Sequence, residues 1–244
     1  MKMRLSREGI FPLASTSNKT GWTFPGTIQG EGKLAGTTSL FLRLQGCNLR
    51  CAWQQDNGTF TQCDTAHSWE CNDGFEMETD EIANTITDCI AKHPINHIVI
   101  TGGEPFLQAG ELATLMRLLK SQANPHITIE TNGTIFDKEV AINADLLSIS
   151  PKTDCHDTVK HLISNAKDYQ LKFVVSRYED EERVTSFVSK LQKTDADSIL
   201  IMPMGFTLET LRQTAPIAAK IAVHKGWRYT PRLHIDIWGN REGV

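Results

Sequence analysis

From residue 79 onward, the chain alternates short apolar segments with longer segments whose apolar residues recur at helical spacing. The short apolar segments predict strands, whereas the longer ones predict helices. The predicted strands are HIVIT (97–101), HITIETNG (126–133), LLSIS (146–150), LKFVVS (171–176), SILIMP (198–203) and RLHIDIW (232–238). Alternation of this kind indicates a parallel sheet, because each helix carries the chain back to the start of the next strand.

The number of strand–helix units is slightly low for a complete eightfold barrel, so we expect an α/β fold with a partial, open TIM-like barrel. No linker, repeat or low-complexity segment interrupts the 244 residues, which favours a single domain over 1–244. The polar clusters TGGEP, ETNGT and SPKTD each follow a predicted strand. The active site of such a barrel lies at the C-terminal ends of its strands, and these clusters are expected to border it.

Composition and charge limit the kinds of molecule that the protein can be expected to bind. The formal net charge is −4 and no long basic run is present, which argues against nucleic-acid binding and favours a small-molecule substrate. No apolar stretch has the length of a transmembrane helix, and the basic N-terminus lacks the continuous apolar segment of a signal peptide. We therefore expect a cytoplasmic protein that does not bind a membrane, in a compartment where disulfides are rare.

Four of the six cysteines lie between residues 47 and 71, and such crowding in a reducing compartment indicates a metal or redox site. Cys47 and Cys51 are four residues apart, but Gln54 occupies the position where a third cysteine would complete a C-x3-C-x2-C motif. The next cysteine in the chain is Cys63.

Removal of residues 54–62 brings Cys63 to the expected third position. The removed residues contain Asn57-Gly58, a strong turn dipeptide, so we expect an inserted hairpin whose ends lie close together. Three thiolates at this spacing can hold three irons of a 4Fe–4S cluster and leave the fourth iron without a protein ligand. That open iron can then coordinate a small molecule.

Two other interpretations of the cysteines remain open at this point. One is a closed, tetrahedral zinc site made of Cys47, Cys51, Cys63 and Cys71, although zinc sites usually use C-x2-C pairs and the first pair here is C-x3-C. The other is a set of unrelated thiols.

Longer motifs place the cysteines in a family context. These motifs, in chain order, are GTIQGEGKLAGTTSLFLRLQGCNLRCAW, CDTAHSW, ITGGEP, IETNGT, SPK, LKFVV and LHIDIWGN. On these motifs, which stand in the family's order over nearly the whole chain, the sequence resembles the radical S-adenosylmethionine (SAM) superfamily and, within it, the 7-carboxy-7-deazaguanine synthase family. Residues 1–20 and 54–62 fall outside it, which makes them an expected N-terminal extension and an expected insertion in the cluster loop.

The resemblance implies a radical SAM barrel and a lyase reaction of queuosine biosynthesis, the pathway of a modified tRNA base. A reduced 4Fe–4S cluster would cleave SAM into methionine and a 5′-deoxyadenosyl radical, which would take a hydrogen atom from 6-carboxy-5,6,7,8-tetrahydropterin. Ring contraction and loss of ammonia would then give 7-carboxy-7-deazaguanine, with Mg²⁺ assisting. The implied partners are the pterin substrate, an electron donor such as flavodoxin, and a second copy of the chain in a homodimer.

The resemblance also assigns roles to residues. It implies no acid–base catalytic residue, because the radical comes from SAM. It implies cluster ligands at Cys47, Cys51 and Cys63, and a magnesium ligand at Thr65. The implied SAM contacts are Gln62, Cys63, Asp64, Gly102, Gly103, Glu104, Ser150, Pro151 and Lys152. The implied substrate contacts are Ile28, Gln29, Gly30, Arg43 and Thr101.

Elementary chemistry agrees with several of these roles. Glycines let the backbone approach a ligand closely, a glutamine can hydrogen-bond the amide edge of a pterin, and the arginine fork suits a carboxylate.

Two alternative functions remain to be separated from this one. They are an activase of the same superfamily that acts on a glycine of a partner protein, and a non-enzymatic iron–sulfur module for electron transfer.

Overall fold

The structure is a computed structural model that describes residues 1–14, 18–54, 60–63, 65–69, 74–191 and 194–244. Its strands are β1 (Lys2–Phe11), β2 (Thr27–Ile28), β3 (Thr38–Leu44), β4 (Ala52–Gln54), β5 (Phe60–Gln62), β6 (Phe75–Glu78), β7 (His97–Gly102), β8 (His126–Thr131), β9 (Leu146–Ile149), β10 (Tyr169–Val175), β11 (Ile199–Pro203) and β12 (Arg228–Tyr229). Its α-helices are α1 (Thr79–Lys92), α2 (Ala109–Gln122), α3 (Lys138–Asn143), α4 (His156–Asn165), α5 (Asp180–Ser189), α6 (Leu208–Lys225) and α7 (Leu233–Trp238).

One large sheet organises the molecule, with the strand order β12-β11-β10-β9-β8-β7-β3-β1-β6. Within this order, the six pairings that connect β3 to β12 are all parallel. Within the described residues, β12 and β6 stand at the two ends of the order and do not pair with each other. The sheet is therefore an open barrel, which confirms the predicted α/β architecture.

The parallel strands have two different faces. Ile98 and Ile100 of β7, and Ile127 and Ile129 of β8, join the hydrophobic core that the helices cover. The residues between them point to the opposite face because side chains alternate along a strand. On that inner face stand polar residues such as Thr101, which gives the barrel a polar interior at its C-terminal end. None of the helices in the described ranges is long and apolar enough to span a membrane.

The N-terminal segment is part of the sheet. β1 pairs antiparallel with both β3 and β6, and its side chains Met3 and Leu5 are completely buried. Residues 2–11 of the expected N-terminal extension therefore contribute to the same hydrophobic core as the barrel strands. The assignment of 1–244 to a single domain stays a prediction.

The strand predicted over 232–238 is wrong, because Leu233–Trp238 forms helix α7. The alternation of apolar and polar residues in LHIDI imitates a strand. In the structure the Leu233 N–H donates to the Gly30 carbonyl, and the helix ends at Gly239, whose φ of 64° lies in the left-handed region. This contact with the chain beyond β2 holds the segment beside the barrel opening rather than at the edge of the sheet.

Candidate active site

A cavity of about 240 Å³ lies inside the barrel at the C-terminal ends of the parallel strands. All five predicted substrate contacts line it, namely Ile28, Gln29, Gly30, Arg43 and Thr101. Five predicted SAM contacts line it as well, namely Cys63, Gly102, Gly103, Ser150 and Lys152. Thr65, the predicted magnesium ligand, is also in the cavity wall. The fold thus brings residues from distant parts of the chain to one opening.

The cluster loop begins after β3 and carries the three predicted cluster ligands. Strands β4 and β5 pair antiparallel, with Ala52 opposite Gln62, and the Cys63 N–H donates to the Cys51 carbonyl at 3.1 Å. The hairpin expected for the insertion is confirmed at its base, since its two ends are adjacent. Residues 55–59, with the predicted turn Asn57-Gly58, lie outside the described residues.

The thiols fit the chemistry expected of them. Cys47, Cys51 and Cys63 are half-buried on one loop, and soft thiolate ligands suit an iron–sulfur cluster. Cys63 faces the main cavity, and Cys51 lines a second, neighbouring cavity that also borders Lys152. Cys71, the fourth ligand of the zinc alternative, lies outside the described residues.

The glycine turn after β7 packs against the start of the cluster loop. A Cβ atom on Gly102 would lie 2.1 Å from the Leu44 carbonyl oxygen, and one on Gly103 would lie 2.0 Å from that of Gly46. The Glu104 N–H then donates to the same Gly46 carbonyl at 2.8 Å. The glycines are therefore needed for close backbone contact between β7 and the loop that carries Cys47, in addition to any contact with a ligand.

Glu104 is completely buried beneath the cavity wall and does not line the cavity. Its carboxylate accepts hydrogen bonds from the Phe106 N–H, the Thr131 hydroxyl and the Asn132 N–H at 3.1, 2.8 and 2.7 Å. Burial raises the pKa of Glu104 to about 6, against the opposing effect of these three donors. The geometry gives Glu104 the task of joining the ends of β7 and β8, and its predicted contact with SAM stays a prediction.

Two other predicted SAM contacts do not line the main cavity. Gln62 is exposed at the end of β5, and Pro151 lines the second cavity beside Cys51. Asp64 lies outside the described residues.

Sequence reasoning missed a network of charged side chains in the cavity wall. The Lys172 ammonium lies 2.5 Å from Glu31 and 3.6 Å from Glu130, and Arg232 donates to Glu31 at 2.9 Å. Burial alone would raise the pKa of Glu31, but the charges of Lys172 and Arg232 hold it far below its usual range. One sequence feature could have found three of these residues, because they lie inside the family motifs TIQGEG, IETNGT and LKFVV. They are Glu31, Glu130 and Lys172.

Glu130 also organises the predicted substrate contacts. It accepts hydrogen bonds from the Thr101 hydroxyl at 2.9 Å and from the Gln29 side-chain amide at 3.3 Å. The Gln29 side-chain oxygen in turn accepts from the Glu31 N–H at 3.1 Å. This row of donors and acceptors along one wall matches the edge of a planar heterocycle that carries both amide and amino groups. His234 and Val244 line the same cavity, and the sequence alone had assigned them no role.

Comparison with known proteins gives a consistent result. The Radical SAM superfamily matches residues 42–215. The 7-carboxy-7-deazaguanine synthase of Rhodopirellula baltica is 34% identical over 88% of this chain and 85% of its own. That of Halobacterium salinarum is 36% identical over 88% of each chain.

A solved structure supports the fold. The crystal structure of QueE from Escherichia coli superposes with a TM-score of 0.66, covering 95% of this chain and 94% of that one at 22% identity. With a barrel of this architecture, a cysteine loop at its C-terminal end and relatives that match most of its length, the chain belongs to the 7-carboxy-7-deazaguanine synthase family of the radical SAM superfamily.

Proposed function

We propose that this protein converts 6-carboxy-5,6,7,8-tetrahydropterin into 7-carboxy-7-deazaguanine with loss of ammonia, in the biosynthesis of queuosine or another 7-deazapurine. The observation that carries the proposal is the meeting of two features at one cavity. Cys63, the cysteine that follows the inserted hairpin, borders the same space as the hydrogen-bonding wall of Gln29, Thr101 and Glu130. Family membership supports both halves of this assignment.

Cys47, Cys51 and Cys63 would hold the 4Fe–4S cluster. When bound and reduced, the cluster supplies the electron that cleaves SAM and so produces the radical that takes a hydrogen atom from the pterin. The protein keeps this chemistry within the barrel, where the surrounding strands limit the access of water.

SAM would lie between the cluster loop and the ends of β7 and β9. Gly102 and Gly103 offer backbone groups at the end of β7, and Ser150 and Lys152 border the cavity after β9. Pro151, Gln62, Asp64 and Glu104 are further family-based proposals for this part of the site. Thr65 would supply one oxygen to Mg²⁺, a hard cation that takes its remaining ligands from water and substrate.

The pterin would lie against the inner wall of the barrel. Arg43 would bind its carboxylate through the guanidinium fork, while Gln29 and Thr101 read its polar edge, with Glu130 orienting both. Ile28 and Gly30 would complete the wall beside Gln29. Several such contacts fix the ring relative to SAM, which is the requirement for selective hydrogen abstraction.

The remaining partners are also proposals. Arg50, Lys152 and Arg183 border the second cavity beside Cys51, and this positive charge suits an acidic electron donor such as flavodoxin. The homodimer and the cytoplasmic location are proposed from the family resemblance and from the cysteine content.

Anaerobically reconstituted and reduced protein should form 5′-deoxyadenosine and 7-carboxy-7-deazaguanine when SAM and 6-carboxytetrahydropterin are both present. Arg43→Ala should lower kcat/KM for the carboxypterin by about 100-fold, since it removes a charged, bidentate contact. Arg117→Ala is the matched control, because Arg117 is half-exposed on α2 and forms a surface ion pair with Glu139. Formation of 5′-deoxyadenosine without the deazaguanine would indicate another radical SAM reaction, and neither product would favour an electron-transfer module.

A further inference from the structure

A buried carboxylate stands directly behind the predicted substrate arginine. The side chain of Glu8 is only 3% exposed, and its Oε2 lies 3.8 Å from the Nε atom of Arg43. The Ser6 hydroxyl donates to the same Oε2 at 2.6 Å, while the Glu8 Oε1 lies 2.8 Å from the His67 Nε2. Glu8 thus stands between Arg43 on β3 and the turn that follows Thr65.

The backbone of β1 is distorted where it delivers this side chain. Between the pairs Leu5–Leu44 and Ile10–Leu42, β1 advances five residues while β3 advances two. Gly9 lies inside this bulge with a φ of 57°, in the left-handed region that glycine adopts readily. Bulges redirect side chains, and they recur next to active sites. The irregularity therefore accounts for a charged residue of a core strand pointing towards Arg43.

Within the described residues, Arg43 itself is held by charge and stacking rather than by hydrogen bonds. Its guanidinium lies 5.1 Å from the ring centre of Phe11, and its buried Nε has no hydrogen-bond partner among the described residues. At 3.8 Å, Glu8 stabilises the cation without occupying its donors. The hydrogen-bonding capacity of the fork is left for a ligand in the cavity that Arg43 lines.

Glu8 carries its negative charge over the whole physiological pH range. Burial alone would raise its pKa, but the close His67 ring, the hydrogen bond from Ser6 and the charge of Arg43 outweigh burial and lower the pKa of Glu8 to about 2. A buried carboxylate that is always charged requires positive charge nearby, and Arg43 and Arg7 supply it to Glu8.

A metal ion is a weaker explanation for this cluster. Glu8, His67 and Glu242 do offer ligand atoms within 4.8 Å of one another. However, Arg7 donates to Glu242 at 2.5 Å and lies 3.7 Å from Glu8. Arg43 lies 3.8 Å from Glu8 as well. Two arginines already balance the two carboxylates, and they would repel a divalent cation.

We propose that Glu8 is a positioning residue that holds the guanidinium of Arg43 in the orientation that binds the carboxylate of the pterin. This role rests on the proposed function, in which Arg43 contacts that carboxylate. Ser6 and His67 fix Glu8 from the other side, so the N-terminal strand and the turn after Thr65 jointly set the specificity of the cavity for a carboxylated substrate.

The test compares two pterins on reconstituted, anaerobic protein in the presence of SAM. Equilibrium binding without reductant is measured for 6-carboxytetrahydropterin and for tetrahydropterin, which lacks the carboxylate. Glu8→Gln should weaken binding of the carboxypterin and raise its KM by about tenfold, the scale of a disrupted buried charge pair. The iron content, kcat and the affinity for tetrahydropterin should each stay within about twofold of wild type, because Glu8 acts only through the arginine that contacts the carboxylate.

Two further variants keep the test decisive. Ser6→Ala removes only one hydrogen bond to Glu8 and should weaken carboxypterin binding by about threefold, which decides the question if Glu8→Gln fails to fold. Glu76→Gln is the matched control, since Glu76 is 56% exposed and forms a surface ion pair with Lys2. It should bind both pterins as wild type does.

Unchanged carboxypterin binding in Glu8→Gln, or equal weakening for both pterins, would overturn the positioning role. These results differ from failure of the proposed function. Wild-type protein that does not convert the carboxypterin refutes that function, whereas normal conversion with an unaffected Glu8→Gln variant refutes the positioning role alone.

Discussion

Asn132, directly after β8, donates a hydrogen bond of 2.9 Å to the side-chain oxygen of Asn48, the residue that follows Cys47. The Thr134 hydroxyl closes a ring, because it donates to the Asn132 side chain at 2.6 Å and accepts from Asn48 at 2.8 Å. The Asn132 N–H is itself held by the buried carboxylate of Glu104. This chain of contacts connects the end of the barrel to the loop that would carry the cluster.

We expect Asn132→Ala to loosen the cluster loop without unfolding the barrel. The variant loses the side-chain contacts to Asn48 and Thr134 but keeps the backbone contact to Glu104. Loss of such outer contacts around a metal site typically costs about 10- to 100-fold in metal affinity or activity. Iron retention during dilution and the rate of 5′-deoxyadenosine formation measure the effect. Asn143→Ala, a change at a half-buried asparagine on α3, should leave both unchanged, and an unaffected Asn132→Ala would refute the role of the ring.

Cys63 and Cys71 compete for the position of the third cluster ligand. Cys63 lines the cavity and is joined to Cys51 at the base of the hairpin. We expect Cys63→Ala to lose the cluster and all cleavage of SAM, and Cys71→Ala to keep both. Iron counting and the visible absorption of reconstituted protein decide between them. Full iron content and SAM cleavage in Cys63→Ala would contradict the assignment of Cys63 as the third cluster ligand after an inserted hairpin.

Thr65 is expected to bind magnesium. Its hydroxyl lies 3.3 Å from the Cys63 sulfur, at the border of the cavity. Thr65→Ala should weaken the dependence of turnover on Mg²⁺ and slow turnover about tenfold, while iron content stays near that of wild type. Thr65→Ser keeps the hydroxyl and should restore the response. A magnesium titration of initial rates measures this, and a wild-type response in Thr65→Ala would show the assignment to be wrong.

Because His97 is buried, the stability of the fold should decrease as the pH falls. Its ring is 3% exposed and bonded to the hydroxyls of Ser39 and Thr128 at 2.7 and 2.8 Å. Burial and the neighbouring His126 lower the pKa of His97 to about 4, from 6.5. The unfolded chain therefore binds this proton first as the pH falls. Stability should decrease between about pH 6.5 and pH 4, by up to about 3 kcal/mol from this residue.

Denaturant unfolding at a series of pH values tests the effect. His97→Gln cannot take up this proton, so its free energy of unfolding should change less between pH 6.5 and pH 4 than that of wild type. His161→Gln is the control, since His161 is exposed on α4. Equal pH dependence in wild type and His97→Gln would show that this histidine does not contribute.

The order of the elements could be predicted from local pattern. The short apolar segments predicted at 97–101 and 146–150 correspond to β7 and β9, because both a buried parallel strand and its flanking helix have a characteristic spacing of apolar residues. Helix α7 could not be predicted in this way. Its residues alternate as a strand does, and only the contact of Leu233 with Gly30 shows where the segment lies.

The sequence by itself determined the barrel class, the cysteine motif with its insertion, and the polar clusters that end the strands. All of these are encoded over short distances along the chain. Only the tertiary structure decided that Glu8 lies behind Arg43 and that Glu31 is paired with Lys172 and Arg232. Residues that lie tens to hundreds of positions apart meet only when the sheet curves around the cavity. Their burial there is what requires each charge to have a partner.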